Sequence, residues 1–172
     1  MAVIALEGMR FYAHHGFYES EQVLGGEYVV DVIMKVHSFA GAAIEDDLGK
    51  TINYETIHLI CARIMRKRFR LIETVASHIA QDIKHQFRNI SELKVSIKKM
   101  HPPLGGRVDA ARVEVDGNFQ RRCARCDKPM LCYGDHSCWC MDTKIFGKTQ
   151  EQLQAQFGNR CLCKDCLAYF AY

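Results

Sequence analysis

No apolar run in this 172-residue chain is long enough to cross a membrane, and the opening MAVIALEGMRFYAHHG carries no basic segment ahead of its apolar residues. A membrane span and an export leader are both excluded from expectation, and the chain reads as cytoplasmic. A surplus of one charge is missing too. The formal net charge is +3, with 15 Lys+Arg against 15 Asp+Glu in residues 1–120 and 8 against 5 in residues 121–172. A phosphate-tracking surface needs a concentrated basic stripe, so no nucleic-acid partner is expected. Internal repeats and low-complexity tracts are absent as well. At 48% hydrophobic and 25% charged residues the composition is globular, enough for one ordinary domain and a small appendage. Cysteine is nearly missing from the first 122 residues, where Cys61 stands alone, whereas the other eight crowd between Cys123 and Cys166. That discontinuity divides the chain into residues 1–118 and 119–172, with the polar DGNFQRR (116–122) reading as a short linker.

The first 118 residues alternate between two periodicities. AVIALEGMRFYAH reads as a strand, and EYVVDVIMKVHS as a second with Val30, Val32, Met34 and Val36 on one face. The connection between them, HHGFYESEQVLGG, reads as a loop. Ile57, Ile60, Cys61, Ile64 and Met65 then recur at helical spacing, as do Ile72, Val75, Ala76, Ile79, Ala80 and Ile83. Cys61 falls in the first stripe as a small apolar residue. ELKVSIKK and VDAARVEV supply two more strands. The order is ββααββ, an α+β layer in which an antiparallel sheet packs one face against two helices.

The stretch SIKKMHPPLGGRVDA raises a chemical question, because two lysines stand at a strand's end. Alternation places Leu93, Val95, Ile97 and Lys99 on one face and Lys94, Ser96 and Lys98 on the other. Lys98 continues a solvated face, whereas Lys99 closes an apolar one. Partial desolvation disfavours the ammonium, which suits Lys99 to proton transfer. The plainer alternative is a lysine that extends its amine past the sheet edge.

GMRFYAHHGFYESEQVLGGEYVVDV, INYETI, LIETVASHIA and IKKMHPPLGGRVDAARVEV occur in the order and at the intervals of a known family. Through these segments residues 3–116 resemble the dihydroneopterin aldolases of folate biosynthesis. The resemblance implies the tunnelling fold and a metal-free retro-aldol cleavage of 7,8-dihydroneopterin, without a Schiff base, to 6-hydroxymethyl-7,8-dihydropterin and glycolaldehyde. It implies Lys99 as general acid/base, Tyr54 as an aid to protonating the enol carbon, and Glu21 as a loop carboxylate near the pterin and the proton path. Glu73 is matched to the pterin's 2-amino and N3–H donors, which one carboxylate accepts as a pair, and the Ile72 backbone to the same edge. It further implies rings of four stacked as an octamer, with Tyr54 contributed by the neighbouring subunit. Related pterin enzymes hold zinc with histidines, but adjacent His14 and His15 on a strand would point to opposite faces, so neither is assigned to a metal. Met100 stands where this family more often has proline. Rival readings are an epimerase acting on dihydroneopterin or its triphosphate, and a pterin-binding or zinc-dependent interaction protein on the same scaffold.

The last 54 residues hold the candidate metal ligands Cys123, Cys126, Cys132, Cys138, Cys140, Cys161, Cys163 and Cys166. Cys123/Cys126 and Cys163/Cys166 are Cys-x2-Cys pairs, and two such pairs make a closed structural zinc site. One ion is expected if only those pairs bind, two if all eight serve. A segment this short buries little core, so metal would supply folding free energy. CWC and CLCKDC resemble the small bacterial cysteine-rich CWC domains.

Overall fold

The computed structural model describes residues 1–170. They form two compact units that meet between Asn118 and Phe119. In the first, strands β1 (Ala2–Ala13), β2 (Gly26–Val36), β3 (Ile90–Met100) and β4 (Ala110–Asn118) make one antiparallel sheet in the order β1-β2-β3-β4. Between β1 and β2 lies a short helix α1 (Glu19–Leu24), and after β2 come α2 (Ala40–Glu45) and a 3-10 turn (Leu48–Lys50). Helices α3 (Tyr54–Met65) and α4 (Ile72–Gln86) pack on each other and on the sheet, α3 against β1 and α4 against β3 and β4. The ββααββ frame is therefore present, with two short helices added to its connections.

Alternation aims Val30, Val32, Met34 and Val36 of β2 and Leu93, Val95 and Ile97 of β3 at the helices, and all seven are buried. Ile57, Ile60, Cys61, Ile64 and Met65 answer from α3, and Val75, Ala76, Ile79, Ala80 and Ile83 from α4. Each large aliphatic side chain so buried contributes roughly 1.5–3 kcal/mol before conformational entropy is subtracted. Burial pushes the Cys61 thiol up to about 12, so it is an inert core group.

Three sequence expectations change. β1 is not a uniform ladder: its register with β2 breaks between Leu6 and Met9, where Gly8 adopts φ +71° and donates its N–H to Asp31 Oδ1 at 2.7 Å. Ser96, assigned by alternation to the solvated face, is buried. Its cross-strand neighbours are Asp31 and Glu114, which pair with Lys98 and Lys94, and these longer chains surround the small hydroxyl. The polar stretch 116–122 is no loop, since Gly117 and Asn118 pair with Leu93 and Glu92 in β4 and Gln120–Arg122 form strand β5. A backbone ladder needs no apolar side chain, so a polar stretch can be paired strand; the division itself falls between residues 118 and 119, as the cysteine distribution suggests.

The second unit pairs β5 with β6 (Pro129–Leu131) and adds a 3-10 turn (Trp139–Asp142), α5 (Gly147–Phe157) and α6 (Lys164–Ala168). Its small core gathers Cys123, Leu162, Cys163, Cys166 and Leu167. Among the described residues no helix is long and apolar enough to cross a membrane.

Candidate active site and cysteine centre

The sheet's register builds the first site. β2 and β3 pair Tyr28 with Lys99, and β1 and β2 pair Ala13 with Gly26, so the residues after Ala13 and the end of β3 meet at one end of the sheet. Lys99 closes the apolar stripe there with its side chain 14% exposed, and its Nζ donates to Glu21 Oε1. Lys98, one residue earlier, faces the other way at 3.5 Å from Asp31 and is 40% exposed.

Glu21 is a helical residue and not a loop residue, because Glu19–Leu24 closes into a turn and a half. It occupies the third position of α1, where its Oε2 accepts from the Tyr18 backbone N–H at 3.1 Å, the returning arm of a capping box. One carboxylate thus caps its own helix with one oxygen and meets Lys99 with the other. Burial raises its pKa, but the Lys99 and backbone hydrogen bonds outweigh this and hold it below the usual carboxylate value.

Behind the pair sit groups that the sequence reading did not assign to the site. Gly16 has φ +156°, and a Cβ there would lie 2.5 Å from Glu21 Cβ and 2.6 Å from its Oε2, so only glycine leaves room for the carboxylate. The Gly16 N–H donates to Phe69 O at 3.0 Å and its carbonyl accepts from Gln22 Nε2 at 2.9 Å. Tyr28 is fully buried, donates its hydroxyl to His15 O at 2.6 Å and places its ring 6.0 Å from Lys99 Nζ. Burial, aided by the Glu21 charge, pushes the Tyr28 phenol up to about 12. The HHG dipeptide-plus-glycine was the available signal for this backing.

His14 and His15 lie beyond the end of β1, so strand alternation does not govern them. His15 is buried, and its Nδ1 accepts from the Phe69 N–H at 3.3 Å. Burial, then the neighbouring His14 and Lys99 charges, lowers it to about 4. A neutral imidazole with Nδ1 as acceptor carries its proton on Nε2, which is buried without a partner. His14 instead sets Nδ1 3.1 Å from Gln22 O.

The Phe69–Gly16 bond ties the α3–α4 connection to the same end. Ile72 and Glu73 open α4, with Glu73 exposed in its first turn. Tyr54, the first residue of α3, is 62% exposed and lines a separate open cleft of about 460 Å³ with Leu6, Leu48, Asn53, Glu55 and His58. Within one chain, then, Lys99 and Glu21 meet, while Tyr54 opens onto a surface that includes none of Lys99, Glu21, Ile72 or Glu73. Met100 continues β3, paired with Ala110, and the turn is made by His101 at φ +47°, whose N–H donates to Asp109 O at 2.9 Å.

In the second unit Cys123, Cys126, Cys163 and Cys166 bring all four sulfurs within 4.8 Å of one another. Cys126 and Cys163 are 3.7 Å apart, close to the edge of about 3.8 Å that a tetrahedron with Zn–S bonds of about 2.3 Å requires. Burial opposes ionisation of Cys123, but the Cys163 N–H at 3.2 Å and further backbone donors lower it to about 6. A divalent soft cation fits this set. It is the only such convergence of three or more ligands among the described residues, so the remaining four cysteines do not share it.

A four-stranded antiparallel sheet backed by two helices, with a lysine–carboxylate pair at its end, defines a tunnelling-fold protein. The dihydroneopterin aldolase family model matches residues 4–116, and the cysteine-rich CWC model matches residues 123–168. The dihydroneopterin aldolase of Staphylococcus epidermidis is 37% identical over 115 residues, 66% of this chain and 93% of that protein. That of Streptococcus pyogenes serotype M1 is 34% identical over 117 residues, 67% of this chain and 98% of that protein. Among solved structures, Escherichia coli dihydroneopterin aldolase in complex with neopterin superposes with a TM-score of 0.62 at 24% identity, covering 69% of this chain and all of that one. The Burkholderia thailandensis enzyme bound to guanine gives 0.53 at 21% identity, covering 68% and 90%. The chain belongs to the dihydroneopterin aldolase family, as an aldolase domain followed by a cysteine-rich CWC domain.

Proposed function

We propose that the first unit cleaves 7,8-dihydroneopterin by proton transfer alone, with Lys99 as general acid/base and Glu21 as its partner. The observation that carries this reading is the Lys99–Glu21 pair, nearly withdrawn from solvent at the sheet's end. Loss of the 2′-hydroxyl proton breaks the C1′–C2′ bond and releases glycolaldehyde, and the bonding electrons move into the conjugated N5=C6 imine. The substrate is its own electron sink, so neither a metal nor a Schiff base is needed. The protein has only to move protons and hold the ring. Glu21 holds the ammonium in place and offers an oxygen to the proton path. Protonation at C1′ then gives 6-hydroxymethyl-7,8-dihydropterin.

Glu73 and the Ile72 backbone are assigned to the pterin edge, Glu73 accepting the 2-amino and N3–H donors as a charge-assisted fork. Tyr54 is assigned to protonation of the enol carbon in a site completed by a second copy of the chain. Its exposure in a cleft apart from Lys99 supports that sharing, as do the two free sheet edges at β1 and β4. Rings of four, paired into an octamer, are the assembly this implies. We place the protein in the cytoplasm, where thiols stay reduced, and assign zinc to Cys123, Cys126, Cys163 and Cys166 as a structural ion.

Incubation with dihydroneopterin and with its triphosphate tests the reaction. Glycolaldehyde released stoichiometrically with the hydroxymethylpterin is the expected result. An epimeric product without glycolaldehyde would transfer the site to epimerisation, and an unchanged pterin would leave a binding protein.

A further inference from the structure

The four cysteines outside the convergent site also stand together. Cys132 follows β6, Cys138 and Cys140 flank the start of the 3-10 turn, and Cys161 follows α5, so their sequence separation reaches 29 residues. Cys132 Sγ lies 2.9 Å from Cys161 Sγ and 3.8 Å from Cys138 Sγ. Cys138 and Cys140 are in side-chain hydrogen-bond contact, and Cys140 and Cys161 interact electrostatically. The sulfurs make a bent chain, Cys140, Cys138, Cys132, Cys161, in place of a closed tetrahedron.

We propose that Cys132, Cys138, Cys140 and Cys161 form a second metal site for a soft divalent cation of the zinc class, separate from the first. Four thiols are brought together from three segments, and Cys132 lies within 3.8 Å of both Cys161 and Cys138, so its sulfur is shared between two neighbours and not committed to one pair. The Cys132–Cys138 separation already equals the edge of about 3.8 Å expected of a tetrathiolate zinc site. The Cys132–Cys161 pair is closer than that edge and opens by roughly 0.9 Å when an ion enters between them. Four thiols lose four protons to solvent and bind one dication, leaving a net charge of −2 on the centre.

The two sites are nested. Cys161-Leu-Cys163 gives one ligand to each, and the Ala124 N–H donates to Cys161 O at 3.0 Å while the Cys163 N–H donates to Cys123 Sγ at 3.2 Å, so one tripeptide spans both. Their surroundings differ. All four sulfur-bearing residues of the second set line a cavity of about 410 Å³, together with Trp139 and Phe157. The Trp139 indole N–H is fixed to Leu131 O at 3.2 Å, which holds the Cys-Trp-Cys turn against Cys132. Of the first site, Cys123, Cys163 and Cys166 belong to the unit's small core while Cys126 is exposed; of the second, Cys132 and Cys138 are buried and all four line the cavity.

Metal analysis of the full-length chain, purified under reducing conditions, reads this directly. Two zinc ions per chain are expected, falling to one in Cys132→Ser/Cys161→Ser. Titration of metal-free protein with cobalt should give a thiolate-to-cobalt charge-transfer band that saturates at two equivalents, and at one in that variant. A wild-type content of one ion, with Cys132, Cys138, Cys140 and Cys161 all alkylated as free thiols or with a Cys132–Cys161 disulfide found by peptide mass mapping, overturns the second site and leaves the first. Two ions retained by the double variant overturn the ligand assignment, and no metal in the wild type removes both sites. The wild-type stoichiometry decides the question even where the variant fails to fold.

Discussion

Lys99 and Glu21, 78 residues apart in sequence, form an ion pair whose side chains are only 14% and 12% exposed. The proposed role of this pair in proton transfer, and the groups packed around it, indicate which substitutions should matter.

Lys99→Ala should lower kcat by about 10²-fold or more, the scale of a lost acid/base group, with a smaller change in pterin binding. Lys98→Ala removes a 3.5 Å contact to Asp31 on the other face of the sheet, apart from the Lys99–Glu21 pair, and should be close to silent in kcat. Steady-state kinetics of both variants check the assignment, and equal losses would remove Lys99 from its special position.

Gly16→Ala introduces a Cβ 2.5 Å from Glu21 Cβ and must displace that carboxylate. A misplacement near 1 Å can cost on the order of 10²-fold, so kcat should drop by roughly that amount while circular dichroism stays native. Gly41→Ala, where nothing lies within 4 Å, is the matched control. Full activity in Gly16→Ala would mean that Glu21 tolerates displacement.

His15 is held neutral by burial, at about 4 against an ordinary value of 6.5. Above pH 6.5 both the folded and unfolded states carry it neutral, so it contributes no pH dependence. As the pH falls from 6.5 to about 4 the unfolded state takes up a proton that the folded state refuses, and stability drops by about 1.4 kcal/mol per unit, up to roughly 3 kcal/mol. His15→Gln keeps an acceptor for the Phe69 N–H without a titrating ring, so its denaturation midpoint should fall less over that window. Parallel acid profiles for wild type and variant would exclude His15 as the cause.

Glu73→Gln replaces an ionic double acceptor with one acceptor and one mismatched donor. KM for the pterin should rise with kcat less affected, and calorimetric titration with a pterin product should show weaker binding. An unchanged affinity would detach Glu73 from the pterin edge.

Co-expression of Lys99→Ala with Tyr54→Phe tests the shared site. A site whose lysine side comes from the Tyr54→Phe chain and whose tyrosine side comes from the Lys99→Ala chain has both groups, and random mixing restores roughly a quarter of sites in a symmetric ring. Two weakly active parents should therefore yield mixed oligomers, verified by mass, of clearly higher activity. No gain over either parent would place Tyr54 outside a shared site.

Residue order was enough for the frame. Two-residue and 3.6-residue periodicities are local, so the strands, α3, α4, the buried stripes and the face of Lys99 could be read from residue order alone. The crowding of eight cysteines after residue 122 likewise marked a second unit without reference to any contact. Which residues meet depended on the folded chain. Glu21 reaches Lys99 because antiparallel register returns the β1–β2 connection to the end of β3, a consequence of pairing between segments far apart in the chain. That Gly16 leaves room for the Glu21 carboxylate and that His15 stays neutral are decided only by packing. Among the cysteines, spacing named eight candidate ligands, but a thiolate two residues from another can turn to either of two centres. Only the path of the chain around them separated the four that converge on one point from the four that face the cavity.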